Sequence, residues 1–334
     1  MMKYFITGIT GFTGQKLAEE LTARGHFLRG LVRDKGKIPA SLQAGVVWVE
    51  GNLSDREALQ RLVAGCDGGF HLAANTSVWP TDPDAHIRDN VTGTLNVLEV
   101  AREAGVKKTV IVSTAGVFGP SRQGGETTEA SPRPAVYHTK YETSKALMEL
   151  EVKKRDDLAG LWVMVHPTRV YGPGILNHAN SVTRIIDRYR RGKWRILPGT
   201  GRPKGNYVYI DDVVNGMILA MEKGKPGENY LLGGETLSFR EFFQILGQES
   251  GRPRVMVPVP GALLIGMARI ISLPADLAGR TPLITPSFMK RYLHHWMPSS
   301  EKAVRDLGYR ITPFREGVRK TLKWLQETEM EKGR

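Results

Sequence analysis

Residues 3–14, Lys-Tyr-Phe-Ile-Thr-Gly-Ile-Thr-Gly-Phe-Thr-Gly, constrain this chain more than any other stretch. Tyr4, Phe5 and Ile6 read as a buried strand, and Gln15 to Arg24, with Leu17, Ala18 and Leu21 apolar, as the helix that follows. Between them stand Gly8, Gly11 and Gly14. A strand-to-helix turn of this kind aims backbone N–H groups outward and adds the positive end of a helix dipole. Its missing Cβ atoms also let a pyrophosphate approach. The GxxGxxG spacing differs from the commoner GxGxxG, so residues farther along decide between an anion site and an ordinary glycine-rich turn.

Those residues repeat the opening pattern. Residues 26–33 form a second strand candidate and 46–49 a third. A helix from Asp55 to Ala64 follows, for which Ser54 is the expected cap. Residues 69–72 read as a fourth strand, a helix is centred on 90–104, and the β-branched run 109–112 is a fifth. Strand and helix alternating five times predicts an α/β protein with a doubly wound parallel sheet of the Rossmann type, its ligands at the carboxyl ends of the strands. At 334 residues and 41% hydrophobic content, the chain can fill that core and a smaller substrate lobe. The expected division is a dinucleotide-binding domain over 1–170, completed by about 206–224, and a C-terminal lobe from 171–205 and 225–334.

The residue after the second strand should sit beside the adenosine ribose, where an acid selects NAD and an arginine accommodates the 2′-phosphate of NADP. Arg33, with Lys37 near it, argues for NADP(H); Asp34 is the contrary signal and keeps NAD(H) as the alternative.

A net charge of +13 and a pI of about 9.8 raise the question of nucleic acid or a membrane surface. The bases are spread along the chain without a run of five, and no nucleic-acid-binding motif accompanies them, so a solvated basic surface is expected and nucleic acid is not. The one cysteine, Cys66, excludes an internal disulfide and a multi-cysteine metal site. The first residues run into the strand instead of a charged and apolar leader, and a cytoplasmic location is expected. The longest uncharged stretch, Val255 to Ala268, holds Pro258 and Pro260 and falls short of the ~20 residues of a spanning helix.

At the end of the fifth strand, Ser113 and Thr114 place two hydroxyls where a ligand is expected. Farther on, Tyr141 and Lys145 are four apart, on one face of a helix and one turn from each other. A phenol with a pKa near ~10 is a poor base at neutral pH, and a cation one turn away stabilises its phenolate. Thr114 could then hydrogen-bond a substrate carbonyl.

With these motifs in this order, the chain resembles the short-chain dehydrogenase/reductases of the extended type. The resemblance is carried by Gly8, Gly11 and Gly14, the Ser-Thr-Ala-Gly strand end at 113–116, Tyr141 with Lys145, and His-Pro-Thr-Arg-Val-Tyr-Gly-Pro at 166–173. Stretches at 71–75, 90–99, 209–213 and 307–309 extend it nearly end to end and place it beside the dihydroflavonol 4-reductase-like branch, in particular the bacterial hopanoid-associated epimerase-like proteins. The resemblance implies Tyr141 as proton donor or acceptor, Lys145 on the nicotinamide ribose, Thr114 in the family's Ser/Thr place and Ser113 as supporting hydroxyl. It implies Gly8, Thr10, Gly11, Phe12, Thr13 and Gly14 around the pyrophosphate, and Asn52 and Leu53 beside adenine, position 52 usually being Asp. Leu72, Ala73 and Ala74 would run under the cofactor, Pro167 and Val170 would meet the carboxamide, and Asn90 would be a structural hydrogen-bonder. A homodimer through the helices after strands four and five is a family expectation.

In extended nucleotide-sugar enzymes the Gly/Pro-rich loop ends in Arg-Asp, the arginine binding nucleotide phosphate; the corresponding places here hold Gly205 and Asn206. That departure favours a free small-molecule carbonyl substrate over a nucleotide sugar, unless Arg184, Arg188 or Arg202 compensates. The apolar residues of 255–275 (Leu263, Leu264, Ile265, Met267, Ile270, Ile271), flanked by Arg254 and Arg269, read as a lobe helix packing its own core. A greasy pocket, extended by the aromatic and basic segment Phe288 to Trp296, or peripheral membrane contact is the alternative. Phe314 to Glu327 closes the chain as an amphipathic helix. The expected reaction is hydride transfer from NADPH to a ketone or aldehyde, the alternative an epimerase or dehydratase acting on a sugar-bearing compound.

Overall fold

The computed structural model describes residues 1–77, 82, 84–122, 125–177, 180–277 and 285–332. In chain order the strands are β1 (Lys3–Thr7), β2 (Phe27–Val32), β3 (Val46–Glu50), β4 (Gly68–His71), β5 (Lys108–Val112), β6 (Trp162–Pro167), β7 (Arg169–Tyr171), β8 (Ile196–Pro198), β9 (Lys204–Tyr209), β10 (Asn229–Leu232), β11 (Glu235–Ser238) and β12 (Val257–Val259). Seven of them form a parallel sheet in the order β10-β6-β5-β4-β1-β2-β3. The order reverses direction beside β1, which puts the glycine turn at the switch point where α/β sheets open a ligand crevice.

Alternation along β1 sends its side chains to opposite faces. Tyr4 and Ile6 join one core with Leu17 of α1 (Phe12–Ala23) and Val213 of α6 (Ile210–Lys223). Phe5 joins a second core with Leu59 of α2 (Arg56–Val63), Val97 of α3 (Gly93–Glu103) and Met148 of α4 (Lys140–Lys153). Both faces are therefore covered, as the near-continuous apolar strands require.

Three local features depart from expectation. Asp55, not Ser54, caps α2, its side chain accepting from the Ala58 amide at 2.9 Å; the Ser54 amide is engaged by Asn52 Oδ1 at 2.8 Å in a turn just before the helix. The helix foreseen over 90–104 begins as a π-helical segment, Ile87–Thr92, before becoming α3. Asn90 explains the irregular start: it holds the Asn75 backbone through both N–H (2.6 Å) and C=O (3.0 Å) and donates to Ser144 on α4 (2.8 Å). The apolar helix divides. In α8 (Gly261–Leu277), Leu264 and Ala268 are buried, whereas Leu263 and Ile270 are exposed; the side chains of Ile271 and of Phe288 lie outside the described residues. Among the described residues no helix is long and apolar enough to cross a membrane.

Beyond β6, β9 is flanked by β7 in parallel and β11 in antiparallel register. The chain adds α5 (Ser181–Arg190), α7 (Phe239–Glu249), α9 (Pro286–Tyr292), α10 (Glu301–Leu307) and α11 (Phe314–Lys332). Phe314 anchors α11. Its ring lies 5.1 Å from Tyr171, 5.5 Å from Tyr207 and 5.1 Å from Phe242, with no exposure to solvent. The expected cost of Phe314→Ala is about 3–5 kcal/mol, read as a lower urea midpoint with little change in slope.

Candidate active site

The glycine turn is shaped by close backbone approach. Gly8 has φ +71°, and a Cβ there would stand 2.6 Å from the Ala73 nitrogen; a Cβ on Gly14 would collide with the Gly8 carbonyl. The chain leaving β4 thus passes directly beneath the turn, bringing Leu72 and Ala73 to Gly8, with Ala74 next along. Thr7 and His71 lock the two strand ends together: Thr7 Oγ1 bonds His71 Nδ1 at 2.7 Å and accepts from the Ala73 amide at 3.3 Å. His71 Nε2 in turn bonds Thr94 Oγ1 at 2.9 Å. Burial pulls the His71 imidazole down to about 3, with Lys145 adding to the shift, so it is a neutral strut.

Past β2, Arg33 is exposed, and among the described residues no carboxylate pairs with it. Asp34 is occupied locally, accepting from the Gly36 amide at 2.9 Å and lying 3.7 Å from Lys37 Nζ.

Helix α4 carries the proposed chemistry because its start is fixed by a reciprocal cap. Thr139 accepts from the Glu142 amide, and Glu142 accepts from the Thr139 and His138 amides. The half-buried Tyr141 therefore sits in the first turn, Lys145 one turn on and Glu149 a turn beyond. Burial pushes the Tyr141 phenol up to about 12, with Arg291 pulling it back and Glu142 adding to the rise. Lys145 is 1% exposed, and its Nζ has no hydrogen-bond partner among the described residues. Burial draws the ammonium down to about 8, Glu149 opposing.

Under this helix lies a polar knot. Glu149 accepts from Ser113 Oγ (2.5 Å) and Arg133 Nη2 (2.6 Å) and meets His166 Nε2 at 2.8 Å. Burial pushes its carboxyl up, but His166, Arg133 and Ser113 outweigh it and hold the group at about 2. Ser113 thus supports the strand end from below and leaves Thr114 facing the ligand side. Thr114 caps the short turn after β5, accepting from the Gly116 amide at 3.1 Å, and lines a cleft of about 410 Å³, part of it open to solvent, with Pro167, Arg169, Asn206, Arg291 and Trp296. Arg291 pairs with Glu142 at 3.2 Å.

The predicted set therefore converges in part. Thr114 and Pro167 share the cleft, and Tyr141, Lys145 and Ser113 are joined to it through α4 and its polar knot. Val170 packs in β7, Leu53 packs with the second core, and Asn52 Oδ1 accepts from the Ser54 amide. Asn90 is the structural hydrogen-bonder foreseen. Arg184, Arg188 and Arg202 do not line the cleft; Arg169 and Arg291 do. Arg169 stands at the start of β7, and Gly205 makes room for it, a Cβ there standing 2.8 Å from Arg169 Cζ. Sequence reasoning missed Arg169, Glu149, Arg133 and Arg291. Glu149 left a signal in its four-residue spacing from Lys145, and Arg169 and Arg291 lie within the 166–173 motif and the 288–296 segment, though neither was given a role.

A family model for the NAD dependent epimerase/dehydratase family matches residues 4–233. A putative dihydroflavonol 4-reductase from Synechocystis sp. is 30% identical over 329 residues, 97% of this chain and 94% of that protein. A 2-alkyl-3-oxoalkanoate reductase from Stenotrophomonas maltophilia is 31% identical, over 92% and 94% of the two chains. The UDP-glucose 4-epimerase of Thermus thermophilus, solved in complex with NAD, superposes with a TM-score of 0.74 at 26% identity, covering 97% of this chain and 99% of that one.

The residues present fit a dinucleotide: a strand-to-helix glycine turn packed too tightly at Gly8 and Gly14 for any side chain, and a buried cationic Nζ with hydrogen-bond capacity unspent. Lys145 then carries a cost in the ligand-free protein. Its folded pKa of about 8 lies below the ordinary 10.5, so below pH 8 it is charged in both states and folding bears the burial penalty. That penalty fades as pH rises from 8 to 10.5. Lys145→Met should stabilise the ligand-free protein by roughly 1–3 kcal/mol at pH 7 and remove the stability gained between pH 8 and 10.5, both read by denaturant unfolding across pH.

Proposed function

We propose that this chain, which belongs to the NAD-dependent epimerase/dehydratase family, reduces a ketone or aldehyde with NADPH, Tyr141 delivering the proton. As a member it is an NAD(P)-dependent enzyme of the extended short-chain dehydrogenase/reductase type. The observation that carries the reductive reading is Tyr141 in the first turn of α4 with Lys145 one turn on; burial raises the phenol further from neutral pH, so it is held as the proton donor a developing alkoxide needs. The reductase names of the Synechocystis and Stenotrophomonas relatives support the same direction.

In this reading residues 1–170 with 206–224 bind the dinucleotide, and 171–205 with 225–334 form the substrate lobe. Gly8, Thr10, Gly11, Phe12, Thr13 and Gly14 would hold the pyrophosphate, Lys145 the nicotinamide ribose, Asn52 and Leu53 the adenine edge, and Pro167 with Val170 the carboxamide. The bound cofactor supplies the hydride. Thr114 orients the substrate carbonyl from the strand end, Tyr141 protonates its oxygen, and Lys145 lowers the energy of the phenolate left behind. Ser113 and Glu149 keep that floor rigid. Arg33 is available to a 2′-phosphate while Asp34 is engaged in its own turn, which supports NADP(H), with NAD(H) the alternative cofactor.

Tyr141→Phe should lower turnover about 10²–10⁴-fold while the NADPH dissociation constant stays within a factor of about two; steady-state NADPH oxidation and fluorescence titration give the two numbers. Undiminished turnover would remove Tyr141 from the mechanism.

Arg33→Ala should weaken NADPH by about tenfold, the equivalent of one charge-assisted contact, and leave NADH nearly unaffected in calorimetric titration. A wild-type protein that prefers or retains NAD and reduces no free carbonyl compound would shift the reading to an epimerase or dehydratase.

A further inference from the structure

Seventeen large apolar side chains are exposed among the described residues, and five of them, Val255, Val257, Leu263, Met267 and Ile270, fall within 255–270. A single exposed apolar residue is ordinary, but a set concentrated on successive elements marks a contact surface. In α8 the set has a direction. At about 100° per residue, Leu263, Met267 and Ile270 fall within about 60° of one another, while Leu264 and Ala268 lie a quarter turn or more away and are buried. The helix therefore packs one apolar side on the protein and turns a second one outward, Ile270 being 69% exposed. One residue before α8, β12 behaves in the same way: Val257 is exposed, as is Val255 two residues earlier at 80%, and Met256 between them packs on the core.

The charge around this surface has one sign. From 250 to 275 the chain carries Arg252, Arg254 and Arg269 and no acidic residue. Arg254 is turned inward, donating to the Arg190 carbonyl at 2.9 Å, but Arg252 and Arg269 are exposed. Strand β8 lies beside β12 and adds the exposed Arg195, whose carbonyl accepts from the Val257 amide at 2.7 Å. The acid that precedes the stretch, Glu249, is paired with Arg315 and Arg319. A second copy of this chain on the same face would set arginine against arginine. An anionic bilayer matches both halves of the pattern, hydrocarbon for the apolar side chains and phosphate headgroups for the arginines. We propose that the outward face of α8, with β12 before it, docks on an anionic membrane surface. Leu263, Met267 and Ile270 enter the boundary between headgroups and acyl chains, and Arg195, Arg252 and Arg269 rest on the headgroups.

Vesicle flotation of the full chain tests this without substrate or cofactor, so its outcome is independent of the reductase reading. Equimolar phosphatidylcholine and phosphatidylglycerol vesicles should bind the protein about tenfold or more tightly than phosphatidylcholine alone, and raising the salt from about 0.1 M to about 1 M should weaken that binding. Because the whole protein is basic, the apolar face needs its own test. Leu263→Asn with Ile270→Asn should lower the partition coefficient about tenfold or more, and Arg252→Ala about fivefold, with circular dichroism confirming that these surface variants fold. Absent binding, equal binding to uncharged vesicles, or undiminished binding of the double asparagine variant would overturn the proposal, the last by reducing it to attraction between a basic protein and an anionic surface. So would a dimer in sedimentation velocity that the double variant abolishes, which assigns the face to a second copy.

Discussion

Everything at the centre of this molecule follows from placing the Lys145 ammonium where no described protein group within hydrogen-bond reach receives it. An isolated buried cation is among the more expensive things a fold can contain, and the surrounding structure is arranged to bear it. Glu149, one turn along the same helix, supplies opposite charge from a distance and is itself fixed by Ser113, Arg133 and His166. The Thr139 and Glu142 cap sets where α4 begins, and therefore where Tyr141 and Lys145 point. Asn90 ties α4 to the irregular start of α3. A site that is complete without its ligand would not need this scaffolding, since the lysine would have been paired or replaced by an apolar residue of similar size.

The glycine turn poses the same problem with backbone instead of charge. The sheet brings β1 and β4 side by side, and at their carboxyl ends the chain from β4 passes under Gly8 so closely that only a hydrogen fits. The resulting turn is too tight for a side chain at Gly8 or Gly14 and leads straight into the positive end of the α1 dipole, a geometry that suits an anion. The fully buried His71, held between Thr7 and Thr94, keeps that approach from drifting.

How much of this could be read from the residues depends on whether a feature is local. The five alternating strands and helices were legible because periodicity is a property of short windows, and Tyr141 and Lys145 because four-residue spacing fixes a helix face. The shift of the α2 cap from Ser54 to Asp55 and the π-helical turn at Ile87–Thr92 were not legible, since each depends on which polar group reaches a given amide first. Arg133, Arg169 and Arg291 come from three distant segments, and spacing along the chain does not announce that the fold sets Arg133 on Glu149 and brings Arg169 and Arg291 into one cleft. The missing arginine at position 205 was visible in the sequence. That the space left by its absence is filled from β7 could only come from three dimensions.

That replacement bears on how one scaffold comes to serve different substrates. An arginine borne at 205 would project from the start of β9; Arg169 reaches the same region from β7, with its guanidinium resting against Tyr207, Phe239 and Tyr292. The positive charge is retained near the cleft, and behind it lie packed apolar and aromatic side chains. The direction from which this charge reaches the cleft is decided by a single glycine too small to stand in its way.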